Sequence, residues 1–361
     1  MRSPKGRFEI EAISLEDPRD DEVLVRLVAT GLCHTDLVAR DQLYPVPQPI
    51  VLGHEGAGVV EKIGARVQNV KVGDPVVLTF LACGACAQCL AGAPTYCVQL
   101  FGLCFGGARA DGSCAIQDAS GTAVHSHFFG QSSFATYAIA NERNVVKVRA
   151  DAPLELLGPL GCGLQTGAGA ILNALRPGAG QSVVVFGAGA VGLSAVMAAR
   201  LSGASPVIAV DVNPARLAVA RELGADVVID ARTADVLAQI KAACAGRGAD
   251  FTLEAVGRPE VVRQAIDALG PRGVCGIVGA PALGVEATFD ITDVMVGGKT
   301  IRGIVEGNSI PSEFIPRLVD LYLAGRFPID RLVRTYKLDD INQAVADAES
   351  GKTIKPVILM S

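Results

Sequence analysis

One cysteine-and-histidine constellation, one cluster of four cysteines and one glycine-rich turn carry most of the chemistry legible in this chain. The first constellation begins at Gly31-Leu32-Cys33-His34-Thr35-Asp36 and continues at Gly53-His54-Glu55. It puts a thiolate, an imidazole, a small hydroxyl and two carboxylates into one short span, and sulfur and imidazole are the donors zinc prefers. A third donor is expected far along the chain, at Cys162 in Gly161-Cys162-Gly163. Three protein ligands leave one position open for water or substrate, as in a catalytic zinc site. Thr35, two residues beyond the sulfur, puts a hydroxyl within reach of whatever the metal holds, and Asp36 is expected to orient His54 and fix its tautomer. Taken alone, the same residues also read as a buried small hydrophobe, Cys33, and a hydrogen-bonded turn histidine, His54.

The second constellation is Cys83, Cys86, Cys89 and Cys97, three of them in C-x-x-C steps. Such steps let one loop wrap a tetrahedral ion, and four thiolates close its shell, so the 83–97 loop is expected to hold a structural zinc. A redox dithiol is the competing reading, and the third and fourth sulfurs argue against it. Cys104 and Cys114 follow and read as bystanders.

The glycine turn is Gly187-Ala188-Gly189-Ala190-Val191-Gly192. It follows the apolar run Ser182–Phe186, opens an apolar helix through Arg200, and has an acid, Asp211, about twenty residues after the turn. Gly187, Gly189 and Gly192 let the backbone approach a pyrophosphate whose charge meets the helix N-terminus. Asp211 is expected to take the adenosine ribose hydroxyls and repel a 2′-phosphate, which favours NAD over NADP; its bland reading is a cap on the next turn.

The elements that must hold these groups fall into two textures. Residues 1–80 read as short strands with Gly and Pro punctuation: Phe8–Ile13, Val23–Val28 leading to Cys33, Gly58–Gly64 and Val76–Thr79, with a further strand at Phe134–Ile139. That pattern predicts a compact β-barrel. From Pro153 the chain turns helical. Residues 182–305 then alternate strand and helix, the signature of a doubly wound parallel α/β sheet. Its strands are expected at Ser182–Phe186, Val207–Val210, Val227–Ile229, Asp250–Glu254 and Gly273–Val278, and its helices at Pro214–Leu223, Ala234–Ala245 and Pro259–Leu269. The last part has helices at Pro311–Leu323 and Leu338–Glu349 and a strand at Lys355–Met360 that is expected to return to the barrel.

Composition is consistent with this reading. The chain has 361 residues, is 50% hydrophobic and 19% charged, and contains no Trp. That length suits about two domains with substantial cores. A net charge of −5 gives no basic footprint for nucleic acid. Ten cysteines in so long a chain, whose start at Met1-Arg2-Ser3 has no apolar signal core, suit metal-bound thiolates in a reducing, cytoplasmic compartment. The apolar span 183–201 is long enough to suggest a membrane helix, but its glycines sit where a phosphate turn needs them, so no membrane partner is expected.

With these motifs together the chain resembles the zinc-dependent medium-chain alcohol dehydrogenases over nearly its whole length. Within them it is most similar to the aryl-alcohol (benzyl alcohol) dehydrogenases, through Phe128-Phe129-Gly130-Gln131-Ser132-Ser133-Phe134 and Gly303-Ile304-Val305-Glu306-Gly307. The resemblance implies a GroES-like catalytic domain over 1–163, a Rossmann NAD domain over 164–304 and a return to the first domain over 305–361. It implies one catalytic zinc on Cys33, His54 and Cys162, with Glu55 near enough to exchange with a ligand, and one structural zinc. It implies that Thr35 takes the alcohol proton, that His34 and Lys355 face the cofactor pyrophosphate, and that Arg216 contacts the adenosine ribose. Phe128, Phe129, Ala280 and Val305 are then the expected walls of an apolar pocket for a benzyl-type primary alcohol, oxidised to its aldehyde. Relatives form dimers and tetramers, so a homo-oligomer is expected, a tetramer included. Two departures stand out. Val38 occupies the position where some members carry a proton-relaying histidine, and the apolar strand that usually opens the family's barrel is missing before Phe8. Two rival readings are a dehydrogenase of thiol–formaldehyde adducts and a nucleotide-binding protein without turnover. The first would need cations at the pocket mouth, which the sequence does not locate; the second would be expected to have lost a ligand or Thr35.

Overall fold

The computed structural model describes residues 1–232 and 235–360. The chain divides into two units. One comprises Met1–Cys162, Ile310–Gly325 and Ile329–Ser361, and the other Gly163–Ser309 with Arg326–Pro328.

The first unit is organised on the strand Glu22–Gly31, whose residues are nearly all withdrawn from solvent. A half-exposed strand would alternate; this one does not, because three strands pair with it. Gly56–Ile63 runs antiparallel along it, Tyr137–Asn141 takes its first half and Lys355–Leu359 its last residues. The sheet continues through Pro75–Leu78 to Val145–Lys147 on one side and to Val333–Lys337 on the other. Lys355–Leu359 thus returns to the barrel, as its apolar character predicts. A separate small sheet joins Ile13–Leu15, Ile116–Asp118 and Ala123–Val124.

The strand expected over Phe8–Ile13 is confined to Ile13–Leu15. The reason is local: the backbone N–H and C=O of Phe8 are both satisfied by the Asn342 amide, at 2.9 Å each, and its ring sits edge-on to Phe134. The strand expected over Phe134–Ile139 lies instead at Tyr137–Asn141. A helix at His34–Arg40, absent from the sequence reading, follows Cys33 directly. Its first turn is closed by the Asp36 carboxylate, which accepts the Cys33 N–H at 2.9 Å.

The second unit is a six-stranded parallel sheet. Its order is Val227–Asp230, Val207–Asp211, Val183–Phe186, Ala249–Glu254, Leu269–Ile277 and Thr300–Gly303. The strand that comes first in sequence lies in the middle, so direction of progress reverses between Val183–Phe186 and Ala249–Glu254, and a ligand crevice is expected above that switch point. The helix expected over Pro259–Leu269 stops at Asp267, because Leu269 already belongs to the next strand. The helix expected from Ala234 runs Val236–Ala243, with Ala234 itself outside the described residues. Gly163–Gly169 is α-helical and continues as a π-turn over Ala170–Leu175. Among the described residues no helix is long and apolar enough to cross a membrane.

Candidate active site

Cys33 follows the central strand by two residues, in extended backbone (φ −111°, ψ 156°), and caps the helix His34–Arg40. This places its sulfur at a fixed bend between two elements. Its ligand atom and those of His54, Glu55 and Cys162 all lie within 4.8 Å of one another. All four residues belong to the first unit.

Asp36 organises the group. Its Oδ1 lies 2.9 Å from His54 Nδ1 and accepts the Gly53 N–H at 3.1 Å, while Oδ2 holds Cys33. The His54 Nδ1–H is therefore committed to the carboxylate, and Nε2, fully buried and without a hydrogen-bond partner, is turned to the sulfurs. Burial works against a charge on this imidazole, but the Asp36 carboxylate outweighs it and raises its basicity. The Cys33 thiol is held well below its ordinary pKa, chiefly by hydrogen bonding with the Cys162 sulfur and further by Lys355 and His54, against the effect of burial. A thiolate is the form a metal takes up.

Glu55 is packed so tightly that a Cβ on Gly31 would run into its carboxylate. Burial pushes its pKa up to about 7; the Lys355 ammonium opposes this and the Cys33 sulfur reinforces it. Lys355 itself is only 2% exposed, with Nζ 2.6 Å from Glu55 Oε2 and 3.2 Å from the Leu32 carbonyl. Its charge is thus already engaged by a carboxylate in the metal group. His34 is exposed, Thr35 is half-buried with Oγ1 3.7 Å from Cys33 Sγ, and Val38 is buried.

Phe129 stacks on the His54 ring at a centroid distance of 4.4 Å, and Phe128 meets it edge-on at 5.5 Å. Phe105, which the sequence reading passed over, meets both at 5.6 and 5.2 Å. This arrangement costs backbone strain: His127 and Phe129 are left-handed, with φ of 59° and 53°. Polar groups hold the turn in place. Asn144 Nδ2 donates to the carbonyls of Thr79, Phe129 and Gly130, Ser132 Oγ accepts the Phe128 N–H, and Gln131 Nε2 donates to the His54 carbonyl. Gln131 and Ser132 adjoin Phe128-Phe129 in sequence, whereas nothing in the sequence points to Asn144, fifteen positions beyond Phe129. Ala280 and Val305, the other expected pocket residues, belong to the second unit, where both are exposed.

Cys83, Cys86, Cys89 and Cys97 form a second group within 4.8 Å. Backbone N–H groups aim at its sulfurs, Cys86 N at Cys83 Sγ (3.3 Å) and Cys83 N at Cys97 Sγ (3.3 Å), and donors from Cys89 and Val98 lower the Cys86 pKa to about 6. Four sulfurs with no fifth polar ligand suit a closed zinc shell; the first group, with its unpartnered Nε2, suits an open one. Cys104 and Cys114 belong to neither group; they point to the Leu81 and Gly107 carbonyls.

In the second unit Gly187 has φ 95°, and a Cβ there would stand 2.8 Å from the Val256 side chain. A Cβ on Gly192 would run into the Gly187 carbonyl, whereas the space over Gly189 is open. Two glycines therefore serve close packing and the third leaves room for a phosphate at the N-terminus of helix Ala190–Ser202. Asp211 Oδ2 accepts the Ala188 N–H at 2.6 Å and Oδ1 the Asn213 N–H at 2.7 Å. The acid thus braces the turn from the neighbouring strand. Arg216 lies in the helix Pro214–Glu222, and its Nε is buried without a partner. A turn that is open over one glycine and braced by an acid fits a dinucleotide.

An open zinc shell, a closed one and a dinucleotide turn define a zinc-dependent alcohol dehydrogenase, and the chain belongs to the medium-chain family of these enzymes. Residues 19–150 match the alcohol dehydrogenase GroES-like domain and residues 190–324 the zinc-binding dehydrogenase domain. The chain is 48% identical to geraniol dehydrogenase of Castellaniella defragrans, over 99% of this chain and 96% of that one. Among solved structures it is similar to an alcohol dehydrogenase zinc-binding domain protein from Burkholderia ambifaria (58% identity, TM-score 0.98, covering 100% of this chain and 97% of that one). It is likewise similar to benzyl alcohol dehydrogenase from Acinetobacter calcoaceticus (52% identity, TM-score 0.97, covering 100% and 98%).

Proposed function

We propose that this enzyme oxidises primary alcohols whose carbinol carbon is attached to an unsaturated carbon, benzylic alcohols foremost, and that NAD is the oxidant. The observation that carries the reading is the pair of rings on the zinc-side histidine: Phe129 stacked on His54 and Phe128 edge-on to it. A flat apolar substrate gains from such neighbours, and a charged one does not. The relatives named for geraniol and for benzyl alcohol act on an allylic and a benzylic alcohol, which supports the same class.

Cys33, His54 and Cys162 would hold the catalytic zinc, with Glu55 as the exchangeable fourth group; Cys83, Cys86, Cys89 and Cys97 would hold the structural one. The catalytic metal supplies Lewis acidity, which lowers the pKa of a bound hydroxyl, and the nicotinamide supplies a two-electron acceptor. Asp36 keeps His54 in the tautomer that presents Nε2, and the Lys355 ammonium favours the ionised form of Glu55 against the effect of burial. Thr35 accepts the alcohol proton and passes it on, while the carbinol hydrogen leaves with its electron pair. The aldehyde, one proton and reduced cofactor result, and the reaction is reversible. His34 and Arg216 are assigned to the pyrophosphate and adenosine ribose. Lys355 would reach the pyrophosphate only as part of its pair with Glu55. Ala280 and Val305 are assigned to substrate contact on the family resemblance alone.

Homo-oligomeric association through the second unit belongs to the same proposal. It is supported by exposed Leu283, Phe289, Ile291, Met295 and Val296 in the segment that leads to the edge strand Thr300–Gly303. A cytoplasmic location follows from the thiolate-rich sites, which need reducing conditions.

The test is a substrate panel of benzyl alcohol, geraniol, ethanol and a thiol–formaldehyde adduct with NAD and NADP, run beside a zinc count per chain. Benzyl alcohol should exceed ethanol in kcat/KM by at least about 100-fold. A preference for ethanol or for the thiol adduct would refute the substrate class.

A further inference from the structure

Glu254 ends the strand Ala249–Glu254, on the far side of Val183–Phe186 from Asp211. It is fully buried, and no step assigned above uses it. Its Oε1 accepts two successive backbone N–H groups, those of Val256 (2.8 Å) and Gly257 (2.7 Å). Its backbone carbonyl accepts Val278 (2.9 Å) and Gly279 (3.1 Å) from the next loop. The segment 255–257 so clamped lies directly on the phosphate turn: a Cβ on Gly187 would stand 2.8 Å from the Val256 side chain and 3.2 Å from the Ala255 carbonyl. On its other side a Cβ on Gly279 would stand 2.5 Å from Glu254 Oε2 and would run into the Gly257 nitrogen. Three loops at the carboxyl ends of three adjacent strands therefore meet at the segment 255–257, which the Glu254 carboxylate holds.

The strand order says which half of a dinucleotide these loops serve. Asp211 stands at the end of Val207–Asp211, so the adenosine half lies on that side of the glycine turn. The other half must cross the switch point to the side of Ala249–Glu254.

We propose that Glu254 is a positioning residue for the nicotinamide half of the cofactor, setting the segment 255–257 against Gly187 so that this half finds a preformed surface. The proposal rests on the dinucleotide reading of the second unit. Burial holds the Glu254 carboxyl above its ordinary pKa, with backbone N–H donors from Gly257, Val256, Arg258 and Gly279 acting the other way, which is consistent with a group kept for its hydrogen bonds and not for solvent contact.

The experiment compares binding of NADH and of AMP to the zinc-loaded protein by calorimetry. AMP lies wholly on the Asp211 side. In Glu254→Ala the Kd for NADH should rise at least about tenfold while that for AMP stays within about threefold. Glu254→Gln keeps an oxygen that accepts both N–H groups and should restore NADH affinity to within about threefold of the parent. Gly279→Ala, which pushes a methyl against the clamp and leaves Glu254 in place, should reproduce the selective loss. Unchanged NADH binding in Glu254→Ala and Gly279→Ala, or parallel loss of AMP and NADH, overturns the proposal. Failure of the unaltered protein to bind NADH would instead overturn the cofactor reading itself.

Discussion

Asp36 and His54 share a buried contact of 2.9 Å between Oδ1 and Nδ1, and the other oxygen of the same carboxylate holds the backbone of Cys33. One acid therefore orients two of the three expected zinc ligands, one through its ring and one through its main chain.

Asp36→Asn keeps the shape and a carbonyl acceptor but removes the charge that raises the basicity of His54. Zinc affinity at the catalytic site, and with it kcat/KM, should fall by roughly 10–100-fold. Competition with a chromophoric chelator reads the first and initial rates the second; an unchanged zinc affinity would remove Asp36 from the role given to it.

The two metal groups should separate cleanly by mutation. Cys162→Ala should lower the zinc content from two per chain to one, with turnover lost and the melting temperature little changed. Cys86→Ala should also leave one zinc but lower the melting temperature by more than about 5 °C, because a closed structural site contributes folding energy directly. Elemental analysis with thermal melts distinguishes them; equal destabilisation by both would count against the division.

Asp211 both braces the glycine turn and presents a negative charge where a 2′-phosphate would lie. Asp211→Gly should raise the ratio of NADP to NAD kcat/KM at least about tenfold, mainly by weakening NAD. An unchanged ratio would assign the acid to the turn alone.

Glu22 supplies a pH dependence whose sign is fixed by its partners. Burial would raise its carboxyl, but His127 and a two-point ion pair with Arg109 (2.7 and 3.0 Å) lower it from 4.5 to about 2. Its stabilising contribution is complete above about pH 4.5 and is lost as pH falls from there toward 2. Glu22→Gln should lower stability at neutral pH and flatten its decline over the acid range. Thermal melts between pH 7 and pH 3 that stay parallel for the two proteins would contradict this.

Ligand types and spacing made both zinc groups readable before any coordinates, and the strand–turn–helix context did the same for the glycine turn. What escaped was long-range. Gln131 and Asn144 were silent because their amides act on carbonyls contributed by distant segments. Phe8 alternates like a strand residue, but Asn342, more than three hundred positions later, takes its backbone. The helix His34–Arg40 is hidden for a different reason: Asp36 serves both as the orienter of His54 and as the acid of a capping box, and the first role masks the second in sequence. Leu269 looked like the end of a helix by period, yet the parallel pairing of its strand with Ala249–Glu254 decided otherwise.

Glu55 and Lys355 lie 300 positions apart. During synthesis the acid is made long before its counter-charge, and the central strand waits equally long for the neighbour that Lys355–Leu359 provides. The metal-bearing unit therefore cannot close as it leaves the ribosome. The nucleotide sheet is translated entirely in the interval and is free to fold first, so maturation of the catalytic centre is expected to be a late, post-translational event.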